Sequence, residues 1–203
     1  VNSFRAYNTY AFGIDFYLPN YSSGIGALVS SDVQGSGLLR SVDAGLQYNY
    51  RVRINRDLYF RPGVQLKVVH KELDFTKLVF SENIGVDGTV ISNTTPFDVD
   101  YDSYTKLDAS FSSLFYDKYF WAGFNIDHLI PYNSSFLNQD SKIPMKFVLT
   151  GGFNWIYREN RFGDEPDEVI TFATLLQHQK EFNQMDIGAT WTKSFLQLGL
   201  WYR

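Results

Sequence analysis

The stretch Val42-Asp-Ala-Gly-Leu-Gln-Tyr-Asn-Tyr-Arg-Val-Arg-Ile54, the short break Asn55-Arg-Asp57 and the run Leu58-Tyr-Phe-Arg-Pro-Gly-Val-Gln-Leu-Lys-Val68 alternate apolar and polar residues with few interruptions. Val42, Ala44, Leu46, Tyr48, Tyr50, Val52 and Ile54 fall on one parity, and Asp43, Gln47, Asn49, Arg51 and Arg53 on the other. After the break, Leu58, Phe60, Val64, Leu66 and Val68 oppose Arg61, Gln65 and Lys67. Successive side chains of a strand point to opposite faces, so each run has one greasy face and one charged face. Each is about a dozen residues long, where strands of soluble proteins average about five or six. Roughly nine to eleven tilted residues cross a bilayer. Length and hidden charge together indicate an all-β chain, a transmembrane antiparallel up-and-down β-barrel with its apolar parity turned to lipid.

The same alternation extends to about ten strands. They are expected near Tyr7–Leu18, Gly24–Ser30, Val42–Ile54, Leu58–Val68, Tyr104–Tyr116, Tyr119–Leu129, Met145–Tyr157, Val169–Gln177, Gln184–Lys193 and Phe195–Arg203. Asp32 to Gly37 reads as a Gly-rich loop, and Lys71 to Ser103 as one long connection. The tight connections, at Pro19–Ser23, Asn55–Asp57, Asp117-Lys118 and Lys193-Ser194, fall mostly on one side, as the periplasmic turns of outer-membrane barrels do. That rule sends the Tyr7 strand downward and implies strands before Val1 and after Arg203. Residues 1–203 are then one barrel domain that is part of a larger barrel. Pro62 interrupts a strong strand, and because proline donates nothing to a ladder, a bulge or local bend is expected there.

Composition narrows the function classes. There is no cysteine, so disulfides, thiolate metal sites and cysteine nucleophiles are excluded. The net charge of −4 with no basic run gives no footprint for nucleic acid. No apolar stretch is long enough for a membrane-spanning helix. Aromatic residues make up 18% of the chain. Many stand near strand ends: Tyr50, Tyr59, Tyr116, Tyr119, Trp155, Tyr157 and Trp201. They read either as an interfacial girdle or as the ordinary preference of aromatics for strands.

Several phrases of the sequence look familiar. Asn8-Thr-Tyr-Ala-Phe-Gly-Ile-Asp15 is followed by Gly24-Ile-Gly-Ala-Leu-Val-Ser-Ser-Asp32 with Gly35 and Gly37, then by Gln47-Tyr-Asn-Tyr-Arg51 and Leu73-Asp-Phe-Thr-Lys-Leu-Val-Phe80. With Trp121-Ala-Gly-Phe-Asn-Ile-Asp-His-Leu129, Pro131 and the Val148–Phe153 strand, this series resembles the PorP/SprF family. The resemblance implies a Bacteroidota outer-membrane barrel of about fourteen strands in the full protein, multi-pass in the bacterial cell outer membrane. It further implies a non-enzymatic part in type IX secretion and gliding motility, supporting export or surface anchoring of a large secreted adhesin with a carboxyl-terminal sorting domain. Outer-membrane lipid, that adhesin and other type IX components are then the expected partners. An outer-membrane diffusion porin or solute channel is the alternative.

Catalytic signals are weak. The three histidines, His70, His128 and His178, are scattered. Asp127 and His128 are adjacent, hence expected on opposite faces, and His128 reads as a structural residue near the rim. No nucleophile elbow or zinc-protease spacing occurs, and Gly35 and Gly37 read as turn residues. Asp98, Asp100 and Asp102 alternate like calcium ligands, but Ala109 stands where the bidentate glutamate belongs, so a solvated segment is the simpler reading. No catalytic, cofactor or metal site is therefore expected. Asp15, Asp43, Arg51, Arg53, Arg61, Lys67, Lys106, Asp108, Asp127 and Lys146 should share the inner face, either as a stiffening network or as the lining of a water path. The long connections carry the candidate partner-binding residues: Phe75, Leu78, Val79, Phe80, Ile84 and Val90 in the first, Tyr132 and Phe136 in the Ile130–Ile143 loop.

Overall fold

A computed structural model describes residues 7–35, 39–75, 84–85, 87–89, 101–136, 141–158 and 168–203. Among these residues eleven strands run in chain order: β1 (Tyr7–Leu18), β2 (Ser23–Gln34), β3 (Leu39–Tyr50), β4 (Val52–Arg53), β5 (Tyr59–Asp74), β6 (Tyr101–Tyr116), β7 (Phe120–Asp127), β8 (Lys146–Arg158), β9 (Glu168–Gln179), β10 (Phe182–Lys193) and β11 (Leu196–Tyr202). They form one antiparallel up-and-down sheet in which each strand pairs with its chain neighbour, and β4 continues β3 along β5. β1 and β11 are its two edges and do not pair with each other, so the sheet is not closed. Among the described residues, no helix is long and apolar enough to cross a membrane.

The sheet is inverted relative to a water-soluble fold. Its apolar parity is the exposed one: Phe12 is 68% and Leu46 70% exposed, and Val64, Leu66, Leu149 and Phe153 behave alike. The polar parity lies on the concave side, where Asp108 has no exposure at all. Constant cross-strand registers put nine of the ten charged residues expected to share a face on this inner side, and Arg51, between β3 and β4, joins them over the rings of Tyr17 and Tyr59.

Turn chemistry fixes the strand ends. Asn55 Oδ1 accepts from the backbone N–H of Asp57 and Leu58, at 3.0 and 2.8 Å. Asp117 Oδ1 does the same for Tyr119 and Phe120, at 2.6 and 2.7 Å. Between β1 and β2, a 3-10 turn Pro19–Tyr21 ends on Ser22 with φ 49°, whose N–H returns to Pro19 O. These turns and the one at Ser194 lie on one edge, and the strand ends at Asp74, Tyr101, Asp127 and Lys146 on the other.

Several boundaries differ from the sequence reading. β2 runs through Asp32, Val33 and Gln34, so the Gly-rich loop begins only at Gly35. β5 extends to Asp74 and β6 starts at Tyr101, which shortens the long connection at both ends. β7 is shorter than expected and stops at Asp127. Pro62 causes no bulge: Asn49 opposes Gly63 and Val52 opposes Phe60, so no residue is inserted. Only the pairs that would use the N–H that Pro62 lacks are missing, which separates β4 from β3 at Arg51. Among the described residues the one irregularity of register lies between Ile156 and Arg158. The girdle reading fails for Tyr59, Tyr116 and Trp201, whose register places them on the inner face. Trp201 lies over Gly188, and Trp121 over Gly152, where an added Cβ would stand 2.6 Å from the indole. A glycine opposite each indole gives the ring a bed on the crowded concave side.

Candidate functional site

The inner face is ordered in rows, each read across neighbouring strands. In the long-connection half, Gly45, Lys67 and Asp108 form one row, Asp43, Val69 and Lys106 the next, and Ser41, Lys71 and Tyr104 a third. Toward the short turns follow the neutral rows Gln47, Gln65, Ser110 and then Asn49, Gly63, Ser112, Asn125. Arg51, Arg61 and three tyrosines close the series near the turns.

Asp108 is the hub of the upper half. Its Oδ2 is 3.2 Å from Lys67 Nζ and 2.7 Å from His128 Nδ1. With a carboxylate as acceptor, it is the imidazole Nδ1–H that donates. Among the described residues its Oδ1 has no hydrogen-bond partner, and neither do Asp43 Oδ1 and the Tyr104 hydroxyl. A buried charge is held only by such pairing.

His128 is also where the wall ends. Its φ of 62° is left-handed, a conformation that non-glycine residues adopt rarely and at a cost. It turns the chain out of β7 while Leu129 N–H still reaches Ala109 O at 2.9 Å. The following loop folds inward. Asn133 bridges Lys142, Ser134 N–H reaches Ser141 O at 2.9 Å, and Ile143 N–H reaches Tyr132 O at 3.2 Å. Phe136 stacks obliquely on Tyr104 with centroids 5.1 Å apart, and Tyr132 lies 6.5 Å from Tyr104 and edge-on to His128 at 6.4 Å. Burial, the negative charge of Asp108, the neighbouring Tyr104 and then Asp43 push the Tyr132 hydroxyl up to about 12. Asp127 and Lys146, paired across β7 and β8 with Nζ 3.8 Å from Oδ2, close the neck of this loop.

The candidate partner-binding residues separate accordingly. Tyr132 is 8% and Phe75 3% exposed. Phe136 is half-buried. Ile84 is 46% exposed, beside a turn in which Gly88 N–H meets Gly85 O at 2.9 Å and Thr89 donates to Asp87 Oδ1 through N–H and hydroxyl. Leu78, Val79, Phe80 and Val90 lie outside the described residues, as do Asp98 and Asp100. Tyr104 and the Asp108 hub were missed as site residues. The parity placed Asp108 and Lys67 inside, but their meeting depended on the β5–β6 register. Among the described residues no group of three or more acidic or histidine side chains could hold a metal ion.

At the short-turn end, Arg51 lies over the rings of Tyr17 and Tyr59, at 5.2 and 5.5 Å, and Arg61 over Tyr116 at 5.6 Å. Tyr59 and Tyr116 stack at 5.5 Å. This arrangement is a cationic lip on aromatic supports, inside a wall whose outer side is apolar.

No curated protein matches the chain. The sequence model of the family described as "Type IX secretion system membrane protein PorP/SprF" matches residues 1–203, the whole chain. A sheet with an apolar outer face and a charged inner face agrees with that match, and the chain belongs to the PorP/SprF family of type IX secretion system membrane proteins.

Proposed function

We propose that this protein is an outer-membrane component of the type IX secretion and gliding apparatus, supporting export or surface anchoring of a large secreted adhesin through its carboxyl-terminal sorting domain. The observation that carries the reading is the inverted sheet, apolar outside and charged inside, in a chain of a secretion-system membrane family. Its role is to hold and pass a partner, not to transform a substrate, and other type IX components are its neighbours in the membrane. The short turns mark the periplasmic edge and the 75–100 and 128–145 connections the cell surface. Adhesin contact falls to Phe75, Leu78, Val79, Phe80, Ile84, Val90, Tyr132 and Phe136, with Ile84 offering exposed apolar surface and the buried Phe75 and Tyr132 shaping what lies above them.

The test is deletion of residues 78–90 from the full-length protein in cells. The barrel should still assemble, read as heat-modifiable mobility, while surface adhesin falls several-fold; unchanged adhesin would sink the reading. A diffusion porin also uses a polar inner face, and the hollows along Asn49, Ser112 and Asn125 favour it. Stepwise conductance of the purified protein in planar bilayers would put that reading first. A folded but electrically silent protein would leave the adhesin role ahead.

A further inference from the structure

The neutral rows and the arginine lip enclose two adjoining hollows on the inner face. The lower, about 300 Å³, is lined by Asn49, Arg61, Ser112, Leu114, Asn125 and Thr150. The upper, about 190 Å³, shares Asn49, Ser112 and Asn125 and continues to Gln47 and Gln65. Among the described residues neither Arg51 nor Arg61 has a carboxylate within ion-pairing distance. Arg61 spends one N–H on the Tyr116 hydroxyl at 3.3 Å, yet its Nε is buried without a partner. A desolvated guanidinium N–H with nothing to bond costs free energy, so the arrangement favours an acceptor brought from outside. Tyr116 supports the guanidinium from one side, which leaves less side-chain freedom to be lost on binding.

We propose that this track binds an extended peptide segment with a carboxylate on Arg61. A planar fork of donors matches a carboxylate, to which it can bond through two N–H groups. Asn49, Asn125 and Gln65 each offer both donor and acceptor, which suits the alternating C=O and N–H of a peptide backbone. A phosphate, which only accepts, leaves half of those groups unused. Leu114 provides an apolar wall for side-chain stems. Arg61 and Gln65 are separated by four positions along β5, a span of about 13 Å, which accommodates about four extended residues. Tyr132 and Phe136 lie over the long-connection end of the inner face, so the segment approaches from the short-turn side. The proposal rests on the secretion reading above and names the group on a polypeptide cargo that the inner face recognises.

The test uses the purified full-length protein in mild detergent and fluorescence anisotropy with labelled pentapeptides of Gly, Ser and Thr. One has a free carboxyl terminus, one is amidated, and one is amidated but carries a single aspartate. The free acid should bind at least tenfold more tightly than the plain amide. Arg61→Gln should erase that difference, and Arg61→Lys, which keeps the charge but loses the fork, should restore only part of it. Asn125→Leu should weaken both peptides alike. The aspartate peptide distinguishes a terminal from a side-chain carboxylate: binding like the free acid assigns an acidic side chain, binding like the amide assigns the chain end, and both support the site. Equal binding of acid and amide, or wild-type affinity in a folded Arg61→Gln protein, overturns the proposal. Displacement of the peptide by an equal concentration of inorganic phosphate overturns it in favour of a small-anion site. Failure here leaves the secretion role intact, because that role is read from surface adhesin in cells.

Discussion

Lys67 and Asp108 stand directly opposite each other across β5 and β6, Nζ 3.2 Å from Oδ2, and the carboxylate is wholly shielded from solvent. The same Oδ2 takes the imidazole of His128, so one carboxylate ties two neighbouring strands to the start of the inward loop. Removing one member strands a buried charge, whereas removing both leaves an apolar contact.

Lys67→Met should therefore cost about 3 kcal/mol or more of stability in detergent, as broken buried pairs do. The double variant Lys67→Met with Asp108→Leu should recover most of the loss. Urea midpoints of the wild type and the two variants decide the matter. A double variant no more stable than the single one means that the pair is not what the stability depends on.

Tyr132 gives an alkaline transition. Its hydroxyl stays neutral in the folded protein up to about 12. In the unfolded chain it ionises near the ordinary value of about 10. The folded-state value is raised, so the contribution is complete below about pH 10 and is lost as pH rises toward 12. Loop accessibility to protease should increase across that window in the wild type and much less in Tyr132→Phe. Identical profiles would separate the loop from this hydroxyl.

His128 combines a left-handed backbone with a hydrogen bond, and the two contributions can be separated. His128→Gly relieves the backbone while losing the bond; His128→Ala loses the bond and keeps the strain. The alanine variant should be the less stable by about 1 kcal/mol. Cleavage within residues 128–145 under limited proteolysis should rank Ala above Gly above wild type. Gly and Ala behaving alike would show that the φ of 62° is not a cost.

Pro62→Val should close the interruption between β3 and β4. The register is already constant across it, so one N–H is all that the ladder lacks. A gain of up to about 1 kcal/mol is expected, together with slower hydrogen exchange at Tyr50, the Arg51 amide being already bonded to Ser22 O at 2.7 Å. Unchanged exchange would place the break in something other than the missing donor.

The sequence was most readable where the environment is most divided. Leu46 and Val64 are exposed on the outer side while Gln47 and Gln65 face inward, so alternation there is a direct image of the two sides. Legibility fades at the strand ends. Asp32 to Gln34 and Lys71 to Asp74 lie in the half of the sheet near the long connections, where polar residues occur on both parities and a strand looks like a loop. Tyr59 and Tyr116 were readable as inward from the parity of Phe60 and Phe115. Proximity to turns suggested a girdle instead, and parity was the better guide. The hub at Asp108 was half legible: alternation gives the face, but only pairing across β5 and β6 brings Lys67 to it. Asp127 and His128 do not take opposite faces as adjacent strand residues would: the left-handed turn at His128 brings both to the inner side. The partner of His128 lies twenty positions away in the chain, on a strand that β7 no longer accompanies.

The neck at Asp127 and Lys146 gives the loop between them an independent life. Both residues belong to the ladder of β7 and β8, so the root of the excursion is secured by the wall and not by the loop's own contents. The loop can therefore be lengthened or replaced without unzipping a strand; the ties given up include the aromatic contacts at Tyr132 and Phe136, the bond at His128, Leu129 N–H on Ala109 O and Gln179 Nε2 on Pro144 O. Adding residues to a loop with a fixed root costs little, about 0.6 kcal/mol per doubling of length. That makes this place in the barrel a socket: a position where a foreign peptide or a reporter could be seated, and where descendants of one ancestral wall could acquire different tips.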